Sequence, residues 1–579
     1  MPQQILIPNT SQHNVVSYQI IIGGSVANPV YELLSMTVTR EMNRLPTAKL
    51  IFKDGDPSER TFALSEAPDF VPGTQLVIKL GRDGTNSQVF KGIIVRHGIR
   101  VRENGQSELI VECKDEAVRM TIGRHSRYYT NQKDSDLLDT LVNSYKNLTC
   151  NMQDSKLQRE ELVQHHCTDW DFMLMRAEAN NMLVSVIDGA VNIAVPQTGG
   201  TPVVQVAFGS SLLEFEAEMD ARNQYQKVEA QSWDYHNQQV FEADTSSIPS
   251  WKEPGNIKSA DLAAILSPSS YELHHSGYLT APELQAWVTA QKQRSLLAKI
   301  CGRGKCTGYS GVKPGDMVTV TGVGARFTGN VFVTAVRHEV GNGMWDTHIQ
   351  FGLDNRRYAE LYEDVNDTQA SGLRGGIRGL QIGVTVTLGG DPDGQDRIQV
   401  RLPMVDNNAD GIWVRVASLD AGNNRGAYFR PEIGDEVIVG FINDDPGEAV
   451  VLGMLNSSAK PAPHPTQDSN NIKGFTTRSK MHITIDDGNN TITIDTPNNN
   501  TIFLDDTGGQ IKLSDQNQNS ITMDSSGITL TSGTGNISIN ATAGQVSLSA
   551  GTQFSASGLT ASLQGQTSAS IQATTVMIN

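Results

Sequence analysis

The chain has 579 residues and a mass of 62.9 kDa, too much for one hydrophobic core, so its length points to about three to five domains. Glycine is plentiful at 53 residues and aromatics make up only 6%, a composition in which strands and turns outnumber helices. A formal charge of -17 without any cluster of Lys or Arg argues against a nucleic-acid partner, and five scattered cysteines argue against a disulfide framework.

The N-terminal stretch MPQQILIPNTSQHNVVSYQI lacks the basic and apolar regions of a signal peptide, and no apolar run reaches the length of a membrane span, so cytoplasmic synthesis is expected. Up to about Cys113 the runs MTVTREM, AKLIFKDG, QLVIKLGRDG and ELIVECKDE alternate apolar and polar residues and close on Gly or Asp, a period of two that predicts strands of a barrel or sandwich. Helix signals follow. DSDLLDTLVNSYKN starts from Ser135 as a cap and places Leu138, Leu141, Val142 and Tyr145 on one face; CTDWDFMLMRAEANNM starts from Thr168 and turns Phe172, Met175 and Ala179 inward. Thr280 and Glu283 form the S/T-x-x-E word of a capping box before LQAWVTAQKQRSLLAKI.

Strands resume with GVKPGDMVTVTG, NVFVTAVRHEV and MWDTHIQFGL, a second β region of similar texture to the first. The polar, glycine-rich joint NDTQASGLRGG precedes RIQVRLPMV, IWVRVASL, EVIVGFI and AVVLGML, enough strands in a short span for a small barrel of the OB type. SSAKPAPHPTQDSN then reads as a linker.

From Met481 onward one short word recurs: Ile483/Ile485, Ile492/Ile494, Ile502/Leu504, Ile511/Leu513, Ile521/Met523, Ile528/Leu530, Ile537/Ile539 and Val546/Leu548, with Val576/Ile578 closing the series. Steps of roughly seven to ten residues drift too much for a heptad. In an extended strand the two apolar residues of each word share a face. One such pair per nine residues does not offset the entropy of ordering them, so a single isolated coil is unstable. Nine residues make about one side of a triangular prism, and three chains would close it and satisfy its edges. A disordered extension, a single-chain β-solenoid and an antiparallel meander are the competing readings; the expectation is an intertwined trimeric β-helix. The stretch from Ser525 to Asn579 has no Asp, Glu, Lys, Arg or His, as suits a shaft that enters a membrane or a prism too thin for long side chains.

This order of parts resembles the VgrG spike family of contractile injection systems and the fused hub and needle proteins of contractile phage tails. Three segments carry the resemblance. They are HHCTDWDFMLMRAEANNMLVSVIDG, then GVKPGDMVTVTGVGARFTGNVFVTAVRHEV with Pro314, Gly315, Phe327, Gly329, Val333 and His338, and the OB segment with Trp413-Val-Arg-Val-Ala and Pro431-Glu-Ile-Gly-Asp-Glu-Val. The resemblance implies a mainly β, multidomain chain: a first hub barrel at 1–125, an α+β hub region at 126–220, a second hub barrel at 221–370, an OB-fold domain at 375–457, a linker at 458–474 and a trimeric β-helix needle at 475–579. It further implies a homotrimer that adapts a hexameric inner tube to a three-fold needle, contacts baseplate proteins, carries cargo effectors, touches the target membrane transiently and holds a PAAR-type tip protein at Val576, Met577, Ile578 and Asn579. Such a chain is made and assembled in the cytoplasm and leaves the cell as part of an injection particle. The roughly eighteen residues between Asn456 and Phe475 leave no room for the lysozyme domain of some relatives, and no fused toxin is expected after the repeats.

Chemistry is sparse. CGRGKCTG fails as a phosphate loop because Cys306 follows Lys305, it offers only Cys301 and Cys306 as metal ligands, and it is expected to be a tight turn. The side chains of HHC at 165–167 alternate on a strand, and DPDGQD at 391–396 lacks the full ligand set of a calcium loop and reads as a hairpin turn. Trp413 and Phe429 are expected in the barrel core and His338 as a structural hydrogen-bonding residue. No enzyme activity, cofactor or metal is expected. The alternative function is a tailspike-like adhesin or glycan-cleaving enzyme, which calls for aromatic sugar platforms; the tail after Met481 has no Trp or Tyr.

Overall fold

The structure, a computed structural model, describes residues 15–103, 106–245, 252–266 and 270–578. It divides into two compact units, Met1–Arg374 and Gly375–Asn579, the division falling inside the polar joint. The stretch before residue 15, read above for export signals, lies outside the described residues. Among the described residues no helix is long and apolar enough to cross a membrane.

In the first unit the alternating runs become strands. Along Gln75–Arg82 every second residue, Leu76, Ile78 and Leu80, is fully buried, because a strand sends alternate side chains to one face. Both predicted β regions contribute to one thirteen-stranded sheet. They meet where Leu33–Glu41 pairs antiparallel with Gly329–Gly341, His338 lying opposite Val38. Two apolar cores remain distinct: one around Phe52, Phe70 and Phe90, the other around Val318, Val333 and Phe351. The two expected hub barrels do not stand as separate closed barrels; the two β regions form one continuous sheet over two cores.

Between the two β regions sits the predicted helical part. Asp134–Asn143 is a helix with Leu138, Leu141 and Val142 buried, but its N-cap is Lys133, and Ser135 lies inside the first turn. Asp134 explains the shift: its buried carboxylate accepts from Arg159 at 3.0 Å, Arg176 at 2.8 Å and Asn180 at 2.9 Å, which fixes it in the first turn and moves the cap from Ser135 back to Lys133. Thr168 does cap Asp169–Ala179, its hydroxyl accepting the Asp171 N–H at 3.0 Å. On that helix Phe172 is buried as expected, with Met173, Leu174 and Ala177 beside it, and half-buried Met175 packs against the same core; Ala179, also half-buried, is not part of it. Glu283 receives the Thr280 N–H at 2.8 Å, as the capping-box word predicts, at the start of Ala281–Leu297.

A three-stranded sheet, Gln239–Asp244, Lys227–Asp234 and Ser270–His275, packs with this long helix around Val228, Leu284 and Val288 and is inserted in the chain between Leu212–Met219 and Ile300–Thr307, which pair directly with each other. CGRGKCTG is not a turn. Seven of its eight residues lie on the strand Ile300–Thr307, between Leu212–Met219 and Met344–Phe351. Cys301 and Cys306 are an odd number of residues apart on that strand and point to opposite faces, which prevents them from sharing a metal ion. Burial pushes the Cys301 thiol up to about 11 and the Cys306 thiol up to about 12, so both stay protonated. His338 is buried and bonded to the Thr347 hydroxyl at 3.0 Å, the structural role expected of it.

The second unit begins with a closed five-stranded barrel made of Gln381–Thr387, Ile398–Arg401, Ile412–Val416, Ala449–Met454 and Glu436–Phe441. Ile398, Val400, Val414, Val437, Val439 and Val451 fill it. Trp413 is not in that core. It neighbours buried Val414 on the strand and therefore takes the other face, half-exposed. DPDGQD is a turn, as predicted: Asp391 accepts the N–H groups of Asp393 at 3.2 Å and Gln395 at 2.7 Å and pairs with Arg397.

Candidate functional site: the apolar face of the tail

After the barrel, Ile472–Thr476, His482–Asp486, Thr491–Asp495, Thr501–Asp505, Gln510–Ser514, Ser520–Asp524 and Gly527–Thr531 form a seven-stranded antiparallel meander. The repeated words dictate its register. Ile483 lies opposite Ile494 and Ile485 opposite Ile492, and the pattern continues through Ile494/Ile502, Leu504/Ile511, Leu513/Ile521 and Ile521/Leu530. Because pairing in a strand has a period of two, apolar residues opposite apolar residues all project from one face, and Thr484, Thr493, Lys512 and Thr522 take the other. Within one chain the tail is thus a meander, the competing arrangement in the sequence reading.

The polar punctuation has a local cause. Lys480, Asn490, Asn499, Gly509 and Gln518 occupy left-handed backbone positions at successive turns, where Asn and Gly carry little strain. Aspartates hold the turns from the side. Asp486 accepts from the Gly488 N–H at 2.9 Å, Asp505 from Gly508 at 2.7 Å and Asp515 from Asn519 at 2.8 Å. The Asn519 side chain and backbone N–H groups hold the Asp515 carboxyl below the ordinary carboxylate range, and Asn489 does the same for Asp486.

One chain leaves the apolar face uncovered. Ile483 is 42% exposed and Met523 37%, with the intervening Ile and Leu residues close to those values. A groove of about 590 Å³ runs along this face between Ile494, Ile502, Leu513, Ile521 and Leu530. Covering the remaining part of each side chain would contribute roughly 1 kcal/mol apiece, on the order of ten for the face. At the barrel end, Phe475 stacks on Phe429 with ring centroids 5.1 Å apart. Phe429, expected in the barrel core, is 54% exposed and instead caps the first tail strand. The sequence reading missed this pair; an isolated Phe directly after a proline-rich linker was its only signal.

Among the described residues no strand follows Thr531, although the apolar words continue. Asp524 is the last aspartate, so beyond it no carboxylate is left to hold a turn. The expected tip residues Val576, Met577 and Ile578 are 49%, 86% and 89% exposed and lie outside any strand, and Asn579 lies outside the described residues. No group of three or more His, Cys, Asp or Glu among the described residues is placed to hold a metal ion.

Comparison with known proteins places this architecture. Residues 12–342 match the family model of the Alg8 N-terminal domain, residues 381–455 that of the type VI secretion system/phage-baseplate injector OB domain, and residues 491–553 that of the phage baseplate V C-terminal trimerisation domain. The chain is similar to the type VI secretion system spike protein VgrG3 of Vibrio cholerae, with 34% identity over 80 residues covering 13% of this chain and 8% of that protein. The chain belongs to the Alg8 N-terminal domain family, among the VgrG and phage-tail-like spike proteins of contractile injection systems. A second relative, spike protein VgrG1c of Pseudomonas aeruginosa, is 25% identical over 145 residues, 24% of this chain and 20% of that protein. The matched stretches thus span a fifth or less of these two relatives' own lengths. The 43 kDa tail protein of prophage MuSo2 from Shewanella oneidensis is similar in structure over 59% of this chain and 99% of its own, at 12% identity and a TM-score of 0.46.

Proposed function

We propose that three copies of this chain form the central spike and hub of a contractile injection apparatus, acting mechanically and without catalysis. The observation that carries this reading is the meander face, two apolar side chains per strand and about two-fifths exposed, on an otherwise polar tail. Three such faces turned toward a common axis would bury one another and form a closed prism. The family match to a trimerisation domain over 491–553 supports the same count.

In this reading residues 1–125 and 221–370 are the two β parts of the hub, joined by the α+β region 126–220, and together they meet a hexameric inner tube and the baseplate proteins. Residues 375–457 form the neck, 458–474 the linker and 475–579 the needle. Val576, Met577, Ile578 and Asn579 receive a PAAR-type tip protein, and cargo effectors ride with the spike. Assembly takes place in the cytoplasm; contraction or lysis carries the particle outside, where the needle crosses the target envelope.

The test is the mass of the purified chain in solution, expected at three times 62.9 kDa. A stable monomer at micromolar concentration would overturn the proposal, and turnover of a surface glycan would establish the adhesin-enzyme alternative in its place.

A further inference from the structure

The hairpin turns of the meander fall into two rows. By the register, turns 476–482, 495–501 and 514–520 lie at one end of the strands, and turns 486–491, 505–510 and 524–527 at the other. The rows differ in charge. The second carries Asp486, Asp487, Asp505, Asp506 and Asp524 without any Lys, Arg or His. Among the described residues only Lys473, on the strand Ile472–Thr476, forms an ion pair with any of them, through Asp487. The first row holds all the basic residues of the turns, Arg478, Lys480 and His482, together with Asp495 and Asp515.

Most charges of the first row are matched within the chain. Arg478 pairs with Glu432 at 2.8 Å and His482 with Asp495 at 2.9 Å, and Asp515 accepts the Asn519 N–H at 2.8 Å. Lys480 is exposed, and among the described residues it has no carboxylate in an ion pair. One end of the meander thus carries an unmatched ammonium and the other a surplus of carboxylates.

In a ring of copies that share one axis and one direction, rotation sets the first row of each copy beside the second row of the next, and like rows never meet. Lys480 lies in the turn before the strand His482–Asp486, and Asp486 and Asp487 in the turn after it. Along the axis these turns differ by one strand spacing, roughly 4.8 Å, which a lysine side chain can span. We infer that at each corner of the prism the Lys480 turn of one copy seats against the Asp486–Asp487 turn of a second copy, ammonium on carboxylate. Asp487 keeps its Lys473 contact, since a carboxylate offers about four acceptor positions. Exposed ion pairs add little affinity, so the apolar face holds the copies together and the corner charges set their direction and height. This inference rests on the trimeric reading and adds to it which edges meet.

A cysteine pair, Lys480→Cys with Asp487→Cys in the full-length chain, tests it by mild oxidation and a non-reducing gel. Within one chain a five-residue strand keeps the two positions roughly 13 Å or more apart, beyond the roughly 7 Å between Cα atoms that a disulfide bridges, so the bond forms only between copies. The expected result is a ladder ending at three chains, absent from each single variant; the single variants also control for the five native cysteines. A sedimentation mass of three chains without crosslinking would overturn the seam and leave the trimer standing, whereas a single-chain mass would overturn both. Should the double variant fold poorly, Lys480→Glu is expected to lower the urea midpoint at which the copies separate, by less at high salt, and Lys480→Arg to retain it. A folded Lys480→Glu variant with an unchanged midpoint would overturn the pairing.

Discussion

Two buried ionisable residues show how single side chains organise the first unit. Burial alone would raise the Asp134 carboxyl, but hydrogen bonds and charge from Arg176, with Asn180 and Arg159, hold it at about 2. A depressed carboxyl contributes stability that is complete above the unfolded value near 4 and is lost as pH falls toward 2. Asp134→Ala leaves Arg176 without its carboxylate and Arg159 with Glu283 alone in a largely buried site, and is expected to cost about 3–5 kcal/mol in urea unfolding at pH 7. His338 works in the opposite chemical sense. Burial, then the neighbouring Arg40 and His348, push its imidazole down to about 3, so the folded protein keeps it neutral. The unfolded chain takes up that proton near pH 6.5, and stability therefore falls as pH drops from 6.5 toward 3. In His338→Gln the acid-side slope of the unfolding midpoint should flatten by up to one proton, a difference that urea titrations at pH 7 and pH 5 would register.

Among the elements, the helix starts were legible where a local word decides them and illegible where a distant residue does. Thr168 and the Thr280/Glu283 pair act on N–H groups within three residues, so chain order alone names them. Ser135 was a reasonable cap by the same rule, but Asp134 is drawn in by Arg159 and Arg176, residues whose arrival no local word announces. Trp413 and Phe429 failed for a related reason: hydrophobicity says that a ring is covered, and the strand register and the partner ring decide by what. In the tail the turns belong to aspartate. Asp515→Ala removes acceptors for the Asn517 and Asn519 N–H groups and should lower the tail's melting temperature by a few degrees, followed by circular dichroism; protonating these carboxyls below their depressed values should act in the same direction.

For the molecule as a whole, the oily face of the meander sets the expected assembly. Ile494→Asn with Ile502→Asn places two amides opposite each other in the middle of that face. Sedimentation at micromolar concentration should then show the complex near three times 62.9 kDa replaced by smaller species, while the first unit, with its own cores, keeps its strand signal. A double variant that stays at the full mass would mean that the face is not the seam between subunits.

The alternation of apolar residues, the capping words and the nine-residue tail repeat were readable from the chain alone, because strand period, helix capping and turn chemistry act over fewer than ten residues. They yielded the mainly β class, the order of parts and the faces that need covering. Only the tertiary structure decided that the two β regions share one sheet, that Cys301 and Cys306 lie on a strand rather than a turn, and that Met175 and Ala179 line a cavity. Each of these depends on residues distant in the chain, as with Leu33–Glu41 beside Gly329–Gly341, and on register set by partners that no local pattern specifies.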